Sequence, residues 1–280
     1  VTSETLERLR AFLEEQAAFG ALTLPPDLDP ALLRNGAALK KAWEQRDRNL
    51  PASTPLSATV ERLRQPAPAP SPPPLAPLVS VAPLELKWQN LEELQAAAAA
   101  CQSCELGGRR TNSVFGVGSP QADLVIVGEA PGEQEDLQGE PFVGAAGQLL
   151  DKMLAAIGFA RQDIYICNTL KCRPPGNRDP LPGELAACRS FLDHQLHMLQ
   201  PRVILALGRV AGRALLGQEA TLAAMRSGEH LYRGLPLRIS YHPAALLRNA
   251  QWKRPAWEDL QSLRRRYDEL GGRPGSLPGV

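Results

Sequence analysis

Apolar positions in the middle of the chain fall into two alternating patterns. Four short runs, Leu124-Val125-Ile126-Val127, Ile164-Tyr165-Ile166, Val203-Ile204-Leu205-Ala206-Leu207 and Leu237-Arg238-Ile239, have the length and β-branched content of buried strands. Between them, Gly144 to Ile157, Pro182 to Leu199 and Arg209 to Leu216 read as helices, and a helical run from Trp88 to Ala100 precedes the first strand. The alternation predicts an α/β fold, a mostly parallel sheet covered on both faces, with its ligand site at the carboxyl ends of the strands. Residues that carry chemistry are therefore expected just after each apolar run.

The N-terminal third follows a different pattern. Ser3 is placed to cap a helix through Leu6, Leu9, Phe12 and Leu13, and a second helical stretch follows Asp29-Pro30 to about Trp43. Prolines then crowd positions 66, 68, 70, 72, 73, 74, 77 and 83, a composition that favours extended polyproline II and cannot pack a core. The expected organisation is a helical or partly disordered extension over 1–65, a Pro-rich linker over 66–85, a folded domain over 86–270 and a flexible tail over 271–280. A short amphipathic helix on a long tether fits a docking segment, and a replication or repair protein is its expected partner.

The 280 residues are 44% hydrophobic, enough for a sizeable core. Lysine and arginine number 31 against 30 acids, so a protein that binds nucleic acid by bulk charge is excluded and any such site must be local. No apolar run approaches the roughly 20 residues of a membrane span, and no basic-then-apolar leader opens the sequence, so no membrane association and a cytoplasmic location are expected. In that compartment the spacing of the five cysteines argues for ligation over disulfides. Cys101 and Cys104 form a CxxC bite, and Cys172 and Cys188 make a second pair, leaving Cys167 to pack within a strand. Zinc and an iron-sulfur cluster both accept four thiolates, and spacing alone does not choose between them. His194 and His197 share a helix face but have no evident third ligand.

Three loops carry candidate chemistry. Gly128-Glu129-Ala130-Pro131-Gly132 follows the first strand and can offer backbone amides to an anion, although it is not a dinucleotide G-x-G-x-x-G; Glu133 and Asp136 read as solvated loop charge. Phe142, in a glycine and proline loop, suits stacking on a base or capping the core. Asn168 ends the second strand, where an amide can both donate to and accept from a base edge, or cap a turn. Lys171, Arg173 and Arg178 make the following loop basic, of the sort that contacts phosphates. His242 ends the fourth strand, beside Leu246, Leu247 and Arg248, and taken alone is as consistent with a core residue as with a catalytic one.

Together these motifs resemble the iron-sulfur, family 4 type of uracil-DNA glycosylase. The resemblance covers roughly residues 101–260 and rests on CQSC at 101–104, GEAPGEQED at 128–136, GEPFVGAAGQLL at 139–150, NTLKCRPPGNRDP at 168–180, Cys188, LGRVA at 207–211 and HPAALLR at 242–248. It implies a three-layer αβα fold around a four-stranded parallel sheet, and a 4Fe-4S cluster on Cys101, Cys104, Cys172 and Cys188. It further implies a monofunctional enzyme, expected to be monomeric, that flips uracil out of single- and double-stranded DNA and excises it. Catalysis then falls to His242, Asn168 and Glu129. Uracil would meet Phe142, Asn168, Asn177, His242, Glu135 and the loop bearing Ala130 and Gly132. Ala130 stands where the best-known uracil-DNA glycosylases carry a water-positioning aspartate, which leaves Glu129, Glu135 and Asn168 as candidates for that role; Glu135 is also placed to exclude the methyl of thymine. Lys171, Arg173 and Arg178 would contact DNA, while Leu246, Leu247 and Arg248 would wedge into the minor groove. Two other readings stand beside this one: a non-catalytic DNA-binding or polymerase-associated module of the same fold, and a glycosylase for another deaminated base.

Overall fold

The four apolar runs form the centre of a six-stranded sheet in a computed structural model that describes residues 85–272. The extension, nearly all of the linker and nearly all of the tail expected from the sequence lie outside the described residues. In chain order the elements are α1 (Leu91–Ala100), β1 (Val117–Gly118), β2 (Leu124–Gly128), α2 (Glu133–Gln138), α3 (Ala145–Ala156), β3 (Tyr165–Asn168), α4 (Pro182–Leu199), β4 (Val203–Leu207), α5 (Gly208–Leu216), α6 (Leu222–Arg226), β5 (His230–Tyr232), β6 (Leu235–Ser240), α7 (Pro243–Arg248) and α8 (Lys253–Glu269). No helix among the described residues is long and apolar enough to cross a membrane.

The strand order is β1-β3-β2-β4-β6-β5. The parallel pairs β3-β2, β2-β4 and β4-β6 make the expected four-stranded core, and β1 and β5 add antiparallel edges. Those edge strands have two and three residues, too few for a period-2 signal to show. Because successive strand residues point to opposite faces, β2 sends Leu124 and Ile126 to one side and Val125 and Val127 to the other. The first pair packs with Leu150 and Leu154 of α3 and Leu260 and Leu263 of α8. The second packs with Leu192 and Leu196 of α4 and Ala211 and Leu215 of α5. Both faces are covered, which is why the strands read as unbroken apolar runs.

Two boundaries show local chemistry deciding. The first helix starts at Leu91 and not at Trp88, because the Asn90 side chain accepts the Glu93 N–H (2.8 Å) and Glu93 in return accepts the Gln89 N–H (2.9 Å). Trp88 instead stacks on Phe191, with ring centroids 5.3 Å apart. The other is α7, where the helical turn separates two adjacent leucines. Leu246 is 1% exposed and belongs to the core, whereas Leu247 is 53% exposed. Leu246 is therefore a packing residue here, not the exposed wedge expected from the sequence. Truncating it in Leu246→Ala should lower unfolding stability by about 2–5 kcal/mol, and Leu247→Ala should stay within about 0.5 kcal/mol of the parent, both read by urea denaturation.

Candidate active site and cysteine pocket

The ends of the parallel strands meet at a cavity of about 670 Å³, within the range of small-ligand sites. Its floor depends on the β2-β3 register, which sets Gly128 beside Asn168. A side chain at 128 is impossible: a Cβ there would lie 2.3 Å from Asn168 Oδ1 and 2.6 Å from Phe142 Cζ. The missing side chain lets an amide and an aromatic ring close over the same backbone position. Asn168 is 2% exposed, and its Oδ1 is buried without a hydrogen-bond partner. Such an orphan costs about 1–3 kcal/mol, which makes it a mark of a group held ready for a ligand.

Phe142 is fixed with equal care. Its φ of 55° is left-handed, a strained conformation for an aromatic residue. Three restraints hold it. Glu135 Oε1 accepts the N–H groups of Val143 and Gly144, both at 3.0 Å, while Oε2 accepts that of Gly132 at 3.1 Å. Arg161 donates to the Pro141 carbonyl at 2.6 Å. The third is Gly147 in α3, which packs so closely that a Cβ would overlap the Phe142 carbonyl oxygen. The Glu135 carboxylate, expected from the sequence to face substrate or water, is thus committed to clamping two loops, although it also lines the cavity.

His242 caps α7, its Nδ1 accepting the Ala244 N–H at 3.2 Å. That bond leaves the proton of the neutral ring on Nε2. The ring lies 5.4 Å from that of Phe142, 28° from parallel. Desolvation, aided by the charge of Arg248, lowers its pKa to about 4, so the imidazole is neutral near pH 7. Glu129 moves the other way: burial, with Asp179 adding and Arg209 opposing, raises its pKa to about 6.

The basic residues divide. Lys171 is 1% exposed, and its Nζ donates to the Asn168 carbonyl (2.7 Å) and to Gln195 Oε1 (2.5 Å). It points into the protein, not to the surface where a phosphate contact was expected of it. Arg178 forks onto Glu184 at 2.9 and 2.6 Å, holding that carboxyl below its usual range, and Glu184 also accepts the Leu181 N–H at the start of α4. Arg173 donates to Asn177 Oδ1 at 2.8 Å and lies 3.6 Å from Glu133. Arg248 remains exposed on the cavity rim. The lining also includes Arg209, Tyr241 and Trp252, which sequence reasoning missed. Tyr241 and Trp252 stack at 5.3 Å, a contact between separate elements that no motif announces.

The four paired cysteines meet in a second, smaller pocket. Cys101 ends α1, Cys104 begins a short 3-10 turn, Cys172 follows β3 and Cys188 lies in α4. Arg110 Nη1 donates to Cys172 Sγ at 3.0 Å, and the Lys171 backbone N–H to Cys188 Sγ at 3.3 Å. No carboxylate lines the pocket. Four sulfurs with cationic and N–H donors around them fit an anionic thiolate-bound centre. Among the described residues no group of three or more His, Cys, Asp or Glu is arranged so that it could hold a metal ion. Burial raises the Cys188 thiol to about 11 and Cys172 above its ordinary value, so ionising these sulfurs calls for ligation. Cys167 stays apart, fully buried in the core.

Residues 115–261 match the model of the uracil DNA glycosylase superfamily. Among similar proteins, a type-4 uracil-DNA glycosylase of Archaeoglobus fulgidus is 42% identical over 193 residues, 66% of this chain and 95% of that protein. One from Thermotoga maritima is 42% identical over 168 residues, covering 59% and 88%. A type-5 uracil-DNA glycosylase of Thermus thermophilus is 34% identical over 149 residues, covering 46% and 68%. The chain belongs to the type-4 uracil-DNA glycosylases of this superfamily.

The clamp on the Phe142 loop is open to test. Glu135→Gln removes the charge and leaves one acceptor oxygen for three N–H groups. It should cost about 1.5–3 kcal/mol of stability, seen as a lower thermal midpoint.

Proposed function

We propose that this chain hydrolyses the N-glycosidic bond of deoxyuridine in DNA, releasing uracil and leaving an abasic site for repair. The observation that carries the reading is the buried, unpartnered Oδ1 of Asn168 beside Phe142 and the neutral ring of His242. Uracil presents an N3–H donor next to its O4 acceptor, so the Asn168 amide satisfies both. Cytosine presents an acceptor and an amino group there, which would set acceptor against acceptor and donor against donor. The face of Phe142 receives the flipped ring by stacking.

In the reaction, water bonds to C1′ of the sugar as the bond between C1′ and uracil N1 breaks, and the bonding electrons leave with the base. Negative charge then spreads onto O2. His242 is placed as the donor to that oxygen, through Nε2–H, and being neutral it need not give up its proton. A donor aimed at charge that develops in the transition state lowers the barrier more than it tightens substrate binding. Glu129, in its carboxylate form, is the base assigned to the proton released by water. No lysine lines the cavity, which supports a monofunctional enzyme with no Schiff-base step.

The cysteine pocket is proposed to hold a 4Fe-4S cluster on Cys101, Cys104, Cys172 and Cys188. When bound, it would staple the start of the domain to the segment after β3 and so brace the loop from Arg173 to Asp179. Leu247 and Arg248, exposed beside His242, are the residues proposed to fill the gap left by the flipped base and to meet the backbone. The extension over 1–65 is proposed to recruit a repair or replication partner.

The central test is release of free uracil from a uracil-containing oligonucleotide, with hypoxanthine and xanthine strands as controls. His242→Ala should lower the single-turnover rate by about 10²–10³-fold with the fold intact, and no release by the parent protein would overturn the reading. The pH profile examines Glu129. Since the ionised form is the active one, the rate should rise with pH through about 6 and then level off, and Glu129→Gln should lose that limb along with most of the activity.

A further inference from the structure

Lys171 is a fully buried lysine whose side chain has no acidic partner among the described residues. Its Nζ donates to two neutral oxygens, the Asn168 carbonyl and Gln195 Oε1, and lies 5.8 Å from the centre of the Phe115 ring. A buried charge of this kind is normally paired or costs several kcal/mol. The same residue lines the cysteine pocket, precedes Cys172 in the chain and donates its backbone N–H to Cys188 Sγ. It thus hydrogen-bonds both a pocket cysteine and the backbone of Asn168. Gln195 is held in turn, its Nε2 donating to the Phe115 carbonyl (2.9 Å) and to Tyr165 Oη (3.3 Å), which fixes where the lysine ends.

We propose that Lys171 is a positioning residue that couples the two sites: its ammonium is the buried counter-charge to the thiolates of the cysteine centre and, through the Asn168 carbonyl, it sets the strand end that reads the base. The proposal rests on the cluster reading given above. It assigns the missing negative charge to the ligated sulfurs, and it accounts for a lysine in a DNA-binding protein that turns away from solvent. Arg110 also donates to a pocket sulfur, but it touches only backbone oxygens around α1 otherwise and does not reach the base-reading side.

The experiment uses the full chain purified without air, with iron and sulfide determined and the visible absorbance followed during challenge by an iron chelator. Lys171→Met keeps the aliphatic volume and removes the charge. Gln195→Glu is isosteric and supplies a carboxylate that draws the lysine's charge away from the sulfurs. Both should shorten the lifetime of the cluster by about 10–100-fold, the range for lost outer partners of a metal site. Because Gln195→Glu also gives up the Nε2 bonds to Phe115 and Tyr165, Gln195→Leu, which loses them without adding charge, is its control, and a role in packing alone would shorten the two lifetimes alike. Lys171→Met should also raise the inhibition constant of free uracil about tenfold, or 1.4 kcal/mol. If Lys171→Met does not fold by circular dichroism, the lifetime in Gln195→Glu decides. Iron present in the parent with unchanged lifetimes in the folded variants would overturn the role of Lys171 alone, and an unchanged uracil constant would overturn its coupling to the base site. A parent protein without iron or sulfide would overturn the cluster reading and this proposal together.

Discussion

The parallel pairing of β2 with β3 is the constraint on which the rest of the site depends. Its register ends with Gly128 opposite Asn168, and the hydrogen bonds continue beyond the strands, from Thr169 to the Gly128 carbonyl and from Leu170 to that of Glu129. The two loops that leave the sheet here are therefore stitched together for several residues before they part. One carries Glu129 and leads to the clamp at Glu135; the other carries Asn168, Lys171 and Cys172. A slip of one residue would turn Asn168 to the opposite face of the sheet and close the floor of the cavity.

Around that floor, strain and unmet hydrogen bonding are concentrated in a few atoms and offset nearby. Phe142 sits at positive φ and Asn168 Oδ1 is left unpaired, each a cost of about 1–3 kcal/mol. Against these stand the charged acceptor of Glu135 on three backbone donors, the Arg161 bond to Pro141 and the tight seat on Gly147. The electrostatics follow the same logic. The imidazole is kept neutral and the Glu129 carboxyl near its switching point by burial, so both groups are tuned by the walls of the cavity and need no dedicated ion pair.

Positive charge near the site is mostly paired or buried, in keeping with 31 lysines and arginines against 30 acids. Of the basic residues near the site, Arg178 is spent on Glu184, Arg209 pairs with Asp179 at 2.9 Å, and Lys171 is turned inward. Arg248 is left at the rim beside Leu247. On the reading proposed above, contact with DNA would fall to the one helix that also carries the imidazole, so that seating the strand and placing the donor at the base would be a single event.

Much of this was legible in the residues taken in order. The apolar runs marked all four core strands and three of the helices nearly to the residue, because strands buried on both faces must be apolar throughout. Asn168 and His242 stood out as strand ends and the cysteines by their paired spacing, which are also local, while the roles expected of them and of Phe142 came from the family resemblance. What no local signal carries is the direction in which a side chain points once two distant segments meet. Lys171 and Leu246 read as surface residues of a basic loop and a wedge, and the packing of α4 and of the core against them decided otherwise. The close approach at Gly128 and the parts played by Gln195, Tyr241 and Trp252 were invisible for the same reason. Their roles exist only through contacts between segments far apart in the chain, and those contacts are set by the sheet register and the packing of helices on its two faces.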